Sequence, residues 1–282
     1  LPRLPPTRPN VLTPSPSTEV LALAGSPFFE KLPAELRREI LLIAFGDSTV
    51  HMDLSFVHPF APQKPGERNT RHAGIDPCCI YNTRAPKSWQ WWSSVCHRVM
   101  PDNEKCFFRR SNPDHPKLGD DRCRYGEALY CQNQCGLYPS KCKIGIMGWL
   151  LSCRQAYVEG IDVLYRTNTI HMSGPALILN LPQLLPPQRL ADITSLEVIC
   201  PLKPRRGDFD TIPEVRPLDN YLTALGSSLP NLTRLFLALK TNRCIPYPMN
   251  MQSVFELLDA FALKAGLREF TVSSSSSVFT PL

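Results

Sequence analysis

The sequence predicts an α/β fold with a mainly parallel sheet, and three observations carry that prediction. One spaced pattern recurs, as Ile193-x-x-Leu196-x-Val198, Leu232-x-x-Leu235-x-Leu237 and Leu267-x-x-Phe270-x-Val272. A helix-like stretch precedes each copy, over 174–186, 217–228 and 251–265. Two amphipathic segments, 28–46 and 146–166, stand apart from this array. The alternating apolar positions suit strands with one buried face. Helix–strand alternation implies parallel strands with covering helices.

The chain has 282 residues, 43% hydrophobic and 20% charged, which excludes wholesale disorder. Proline is raised, at 29 residues, whereas glycine, at 14, is not. A formal net charge of +6 is too small to argue for nucleic acid by itself. No apolar run reaches the length of about 18 residues that a membrane span needs.

Residues 1–27 contain Pro2, Pro5, Pro6, Pro9, Pro14, Pro16 and Pro27 and read as a flexible tail. Residues 28–46 read as one amphipathic helix with Pro33 in its first turn, Glu35 near its positive end and Gly46 as its stop. Leu32, Leu36, Ile40 and Ile43 form its apolar stripe, with Arg37, Arg38 and Glu39 off it. Such a stripe suits a partner's groove, or packing against 146–166.

Residues 47–143 read as a Cys/Pro-rich insertion, with Trp89, Trp91 and Trp92 folding part of it back on the core. Residues 146–166 read as the strongest helix, with Leu150, Cys153, Tyr157, Ile161 and Leu164 on one side and Gly160 a weak point. A strand at Thr169–Met172 follows. Counting it, the central strand residues are Ile170, Leu196, Leu235 and Phe270. Stacking of these units like a solenoid is the leading arrangement, and an ordinary open α/β sheet is the alternative.

Eleven cysteines are present, eight of them between Cys78 and Cys142. An odd total, with Cys153, Cys200 and Cys244 in apolar surroundings, suits a reducing compartment, and cytoplasmic or nuclear residence is expected. Cys131-x-x-x-Cys135 has ligand-like spacing, and Cys123, Cys142 or His115 would complete a zinc site. Disulfides and free thiols are the alternatives. The basic and aromatic residues from Lys64 to Arg124 suit single-stranded nucleic acid, but acids are interleaved among them and a nucleic-acid partner is not expected. The chain contains no Gly-x-Ser-x-Gly, His-Glu-x-x-His or P-loop sequence, so no enzymatic activity and no cofactor is expected.

Two segments resemble a known module. Leu32-Pro33-x-Glu35-Leu36-x-x-x-Ile40 resembles the opening of an F-box, the helical element by which substrate receptors dock on the Skp-type adaptor of cullin ubiquitin ligases. Leu151-x-Cys153-Arg154-Gln155-x-Tyr157-x-Glu159, with Leu164-Tyr165-x-x-Asn168-x-Ile170, is similar to the second half of that module in a large fungal class of F-box-like proteins, most of unknown function. The later strands look like leucine-rich repeats. The resemblance implies an F-box-like helical element followed by leucine-rich-repeat-like units, with residues 28–46 and 144–282 forming one domain. It further implies a protein-interaction role, with Leu32, Pro33, Glu35, Leu36 and Ile40 contacting the adaptor and the later units contacting a target protein. The other reading is a nucleic-acid- or zinc-binding module centred on 78–142.

Overall fold

The computed structural model describes residues 1, 26–59, 82–96, 143–202, 214–241 and 251–274. These residues form a mixed α/β fold around one six-stranded sheet. Its strands are β1 (Thr49–Val57), β2 (Ser88–Val95), β3 (Thr169–Met172), β4 (Ser195–Leu202), β5 (Arg234–Thr241) and β6 (Glu269–Ser274), in the order β2-β1-β3-β4-β5-β6. All pairs are parallel except β1–β2, which is antiparallel at one edge.

The spaced pattern has a direct spatial meaning. Ile170, Leu196, Leu235 and Phe270 pair in a single row across four strands, and Val50 of β1 continues the row beyond Ile170. Successive strand starts are fastened alike. The Arg234 N–H donates to the Thr194 carbonyl at 3.0 Å, and the Glu269 N–H donates to the Thr233 carbonyl at 3.1 Å. From β3 onward, strands join the sheet in chain order. With right-handed crossovers, that order puts every connecting helix on the same face.

The helices are α1 (Pro27–Lys31), α2 (Ala34–Phe45), α3 (Ile146–Leu150), α4 (Arg154–Arg166), α5 (Pro175–Ile178), α6 (Leu181–Leu184), α7 (Pro187–Asp192), α8 (Arg216–Ser228) and α9 (Gln252–Ala265). Leu177 of α5, Leu181 of α6, Leu218 and Leu225 of α8, and Val254 and Leu258 of α9 share one core with the row of strand residues. Each fully buried leucine of this core contributes about 1.5–3 kcal/mol. A second, smaller core joins Leu41 of α2, Ile146 and Leu150 of α3, and Ile161 and Leu164 of α4.

The elements differ from the sequence reading at several points. Residues 28–46 form two helices, because Pro33 disfavours helical backbone at Leu32, which is extended at φ −95° and ψ 128°. Pro33 is therefore the N-cap of α2 and not part of its first turn. Gly46 does end α2, its N–H donating to the Leu42 carbonyl at 2.8 Å, and Asp47 takes the left-handed turn at φ 52°. Residues 146–166 also break in two. Cys153 is extended, and its sulfur accepts from the Ala156 N–H at the start of α4. The stretch 174–186 is not one helix but the short turns α5 and α6, parted at Leu179–Asn180, with Pro182 in the first turn of α6 and Pro186 beyond its end. Finally, β1 and β2 lie inside 47–143, where no strand was read, and both belong to the common sheet. Trp89 of β2 does pack on the main core.

Candidate functional site

The small helical element formed by α1 to α4 carries the motif residues, and their side chains reveal two jobs. The first job is internal. Arg37, Leu41 and Phe45 recur at four-residue spacing and make the side of α2 that faces inward: Arg37 and Leu41 are buried and Phe45 is half-buried. The Arg37 Nε donates to Glu159 Oε2 at 2.9 Å and Nη2 donates to Oε1 at 2.6 Å. Its Nη1 donates to the Leu32 carbonyl at 2.5 Å and to the Phe29 carbonyl at 3.3 Å. The hydrogen bond to Glu159 raises the guanidinium's pKa above its ordinary value, although burial opposes this. One charged group thus fixes the Leu32–Pro33 corner and clamps α2 to α4. Gln155 Nε2 donates to the same carboxylate at 3.0 Å and steadies it.

Asn168 does similar work at the other end of the element. Its Oδ1 accepts from the Ser48 N–H at 2.9 Å, and its Nδ2 donates to the carbonyls of Phe45 and Val163, each at 3.0 Å. These bonds tie the end of α2, the end of α4 and the approach to β1 together. Phe28 and Phe29 close on Trp149 with ring centroids 5.0 and 5.5 Å apart. A Cβ on Gly160 would stand 2.7 Å from the Trp149 ring, so this glycine is a packing requirement and not only a weak point of α4.

The second job is external. Leu36, Ile40 and Ile43 lie on the side of α2 turned away from α4, exposed by 52%, 43% and 84%, whereas Leu41 is 1% exposed. Leu36 and Ile40 therefore do not pack against 146–166. Pro33 and Glu35 are exposed beside them, and Leu32 is half-buried in the corner held by Arg37. Met147 of α3 and Leu151 just after it are also exposed. An exposed apolar ridge of this kind can lie in a complementary apolar groove.

A second feature lies on the other face of the sheet. His51, His171 and Glu197 stand in one register row on β1, β3 and β4, all buried, with His51 Nδ1 2.9 Å from His171 Nδ1. A cavity of about 470 Å³ opens beside them, lined in part by Asp53, Ser55, Trp89, Ser173 and Lys240. The Asp53 carboxylate already accepts three hydrogen bonds, from the N–H groups of Ser173 and Gly174 at 3.0 Å and from the Ser173 hydroxyl at 2.9 Å. It serves to fasten β1 to the start of α5. His51, Ser55, His171 and Lys240 likewise already have interaction partners. Burial pushes the Cys200 thiol up to about 12, so it stays protonated at neutral pH and is no nucleophile.

The candidate zinc ligands Cys123, Cys131, Cys135 and Cys142, with His115, lie outside the described residues. Among the described residues there is no group of three or more metal-ligating side chains, and no helix is long and apolar enough to cross a membrane. The His51–His171 pair escaped the sequence reading. Its signal was a repeated tetrapeptide, Thr49-Val50-His51-Met52 and Thr169-Ile170-His171-Met172.

No curated protein and no solved structure matches the chain. One family does match, over residues 23–204, a span that contains both motif segments, the α1–α4 element and the strands β1 to β4. The chain therefore belongs to the family described as Domain of unknown function (DUF7730).

Proposed function

We propose that this protein is a non-enzymatic protein-interaction module, an F-box-like receptor that docks through α2 on a Skp-type adaptor of a cullin ubiquitin ligase. The observation that carries the reading is the exposed ridge of Leu36, Ile40 and Ile43 on a helix already secured from its other side by Arg37 and Leu41. A helix so anchored keeps its apolar ridge without a conformational search, which lowers the cost of binding. The LPxELR and CRQxYxE segments agree with this reading, since Arg37, Gln155 and Glu159 build the joint that presents the ridge.

In this proposal the helix–strand units from β3 to β6 are leucine-rich-repeat-like and receive the target protein. Residues 28–46 and 144–282 act as one domain, which β1 and β2 from within 47–143 join as strands of the same sheet. The protein works in the cytoplasm or nucleus, where such ligases operate.

A pull-down with purified Skp-type adaptor tests the docking role. Wild-type protein should retain the adaptor, and Leu36→Asp with Ile40→Asp should abolish retention. Unchanged retention by a variant with a wild-type circular dichroism spectrum would reject the role of this helix.

A further inference from the structure

We infer that the groove receiving α2 belongs to a different protein and carries lysine or arginine along one wall, the wall beside Glu35 and Glu39. This rests on the docking reading above and adds to it the charge of the partner. Residues four apart stack along one side of a helix. Leu36 and Ile40 therefore make one ridge, and Glu35 and Glu39 make the ridge next to it, both glutamates exposed. On the opposite flank stands Arg37, which is turned inward and spent on Glu159. Arg38 shares its side of the helix with the half-buried Leu42, which packs on the inner core, so it lies beyond the glutamates and away from the apolar ridge. The face offered to a visitor is apolar with carboxylates along one border.

That border decides between occupants. In a symmetric pair of two copies joined along this ridge and centred on Ile40, Glu39 would meet its own counterpart across the seam. Like charges in that position repel, so a second copy of the chain fits poorly. A foreign groove with cations beside Glu35 and Glu39 gains two rim attractions that also steer its approach.

The test places a photo-crosslinker on the ridge itself, as Ile43→p-benzoylphenylalanine in the full chain, at a position 84% exposed. Isotope-labelled protein is irradiated in native cell extract in three backgrounds: unaltered, Glu35→Lys with Glu39→Lys, and Leu36→Asp with Ile40→Asp. We expect an adduct with a foreign polypeptide. Its yield should fall roughly tenfold on charge reversal at low salt and by less at high salt, because rim charges are screened. The aspartate background should abolish it. Glu35→Gln with Glu39→Gln, checked by circular dichroism, controls for folding and should lose less than the reversal. An adduct whose yield survives charge reversal would overturn the basic wall and leave the docking reading standing. An adduct with a second copy would overturn the inference, and no adduct in any background would overturn both.

Discussion

Arg37 of α2 and Glu159 of α4 are 122 residues apart in sequence and meet through three hydrogen bonds, of 3.2, 2.9 and 2.6 Å. Their side chains are 9% and 22% exposed, so removing either partner strands the other charge in a partly dry joint. Glu159→Ala or Arg37→Met should cost about 2–4 kcal/mol in urea denaturation. The exchange Arg37→Glu with Glu159→Arg should recover only part of this, because the Leu32 and Phe29 carbonyls lose their donor. A loss below about 0.5 kcal/mol would mean that the pair behaves as a surface ion pair and does not secure the joint.

Two glycines in the same element should respond oppositely to alanine. At Gly160 the new Cβ would meet the Trp149 ring at 2.7 and 3.0 Å and Leu150 Cδ2 at 3.1 Å. The indole has little room to retreat, since Phe28 and Phe29 press on it. Overpacking of about 1–3 kcal/mol outweighs the helix-propensity gain of about 1 kcal/mol, so Gly160→Ala should destabilise. At Gly148 of α3 nothing lies within 4 Å of the added methyl. Gly148→Ala should therefore stabilise by about 0.5–1 kcal/mol. Thermal melts of the two variants are the measurement, and shifts of the same sign would refute the packing assigned to Gly160.

How much of this was legible depends on the separation between partners. The sheet from β3 onward was readable because Ile170, Leu196, Leu235 and Phe270 repeat one local pattern, and each needs only its own neighbours to look like a strand. β1 was not read, although Thr49-Val50-His51-Met52 nearly duplicates Thr169-Ile170-His171-Met172 and pairs with it in register at the first three positions. The polar, proline-rich surroundings of β1 masked the alternation, and its parallel partner lies beyond the whole insertion. The inner side of α2 was missed for a related reason. Spacing alone cannot choose between the stripe Leu36–Ile40–Ile43 and the stripe Arg37–Leu41–Phe45. Hydropathy chooses the first, and only the distant Glu159 makes an inward arginine tolerable.

The same choice of stripe gives a stability contrast. Leu41 is 1% exposed within the small helical core, and Leu41→Ala should cost about 2–4 kcal/mol. Leu36→Asp and Ile40→Asp change side chains that are about half exposed, and each should cost about 1 kcal/mol, from lost partial burial and the lower helix propensity of aspartate. Chemical denaturation of the three variants decides the matter. A large loss from either aspartate would place that residue in the core and remove it from any docking surface.

Cys200 supplies a pH prediction whose sign follows from burial. Its thiol lies in the main core and is pushed from 9.0 to about 12 by desolvation. In the unfolded chain the thiol ionises near pH 9, whereas in the folded chain it keeps its proton until about pH 12. Between those values the unfolded state binds fewer protons, so stability falls as pH rises. The limiting slope from this one group is about 1.4 kcal/mol per pH unit. Below pH 9.0 the unfolded thiol is protonated too and contributes no slope. The Tyr221 phenol is also raised, chiefly by burial and further by Cys200, so it adds to the alkaline loss and remains when the cysteine is removed. Cys200→Ala should therefore lower stability at neutral pH through lost packing yet flatten its decline across the alkaline range. Urea denaturation of both proteins through that range is the measurement, and parallel curves would show that the folded-state thiol titrates as an ordinary exposed cysteine.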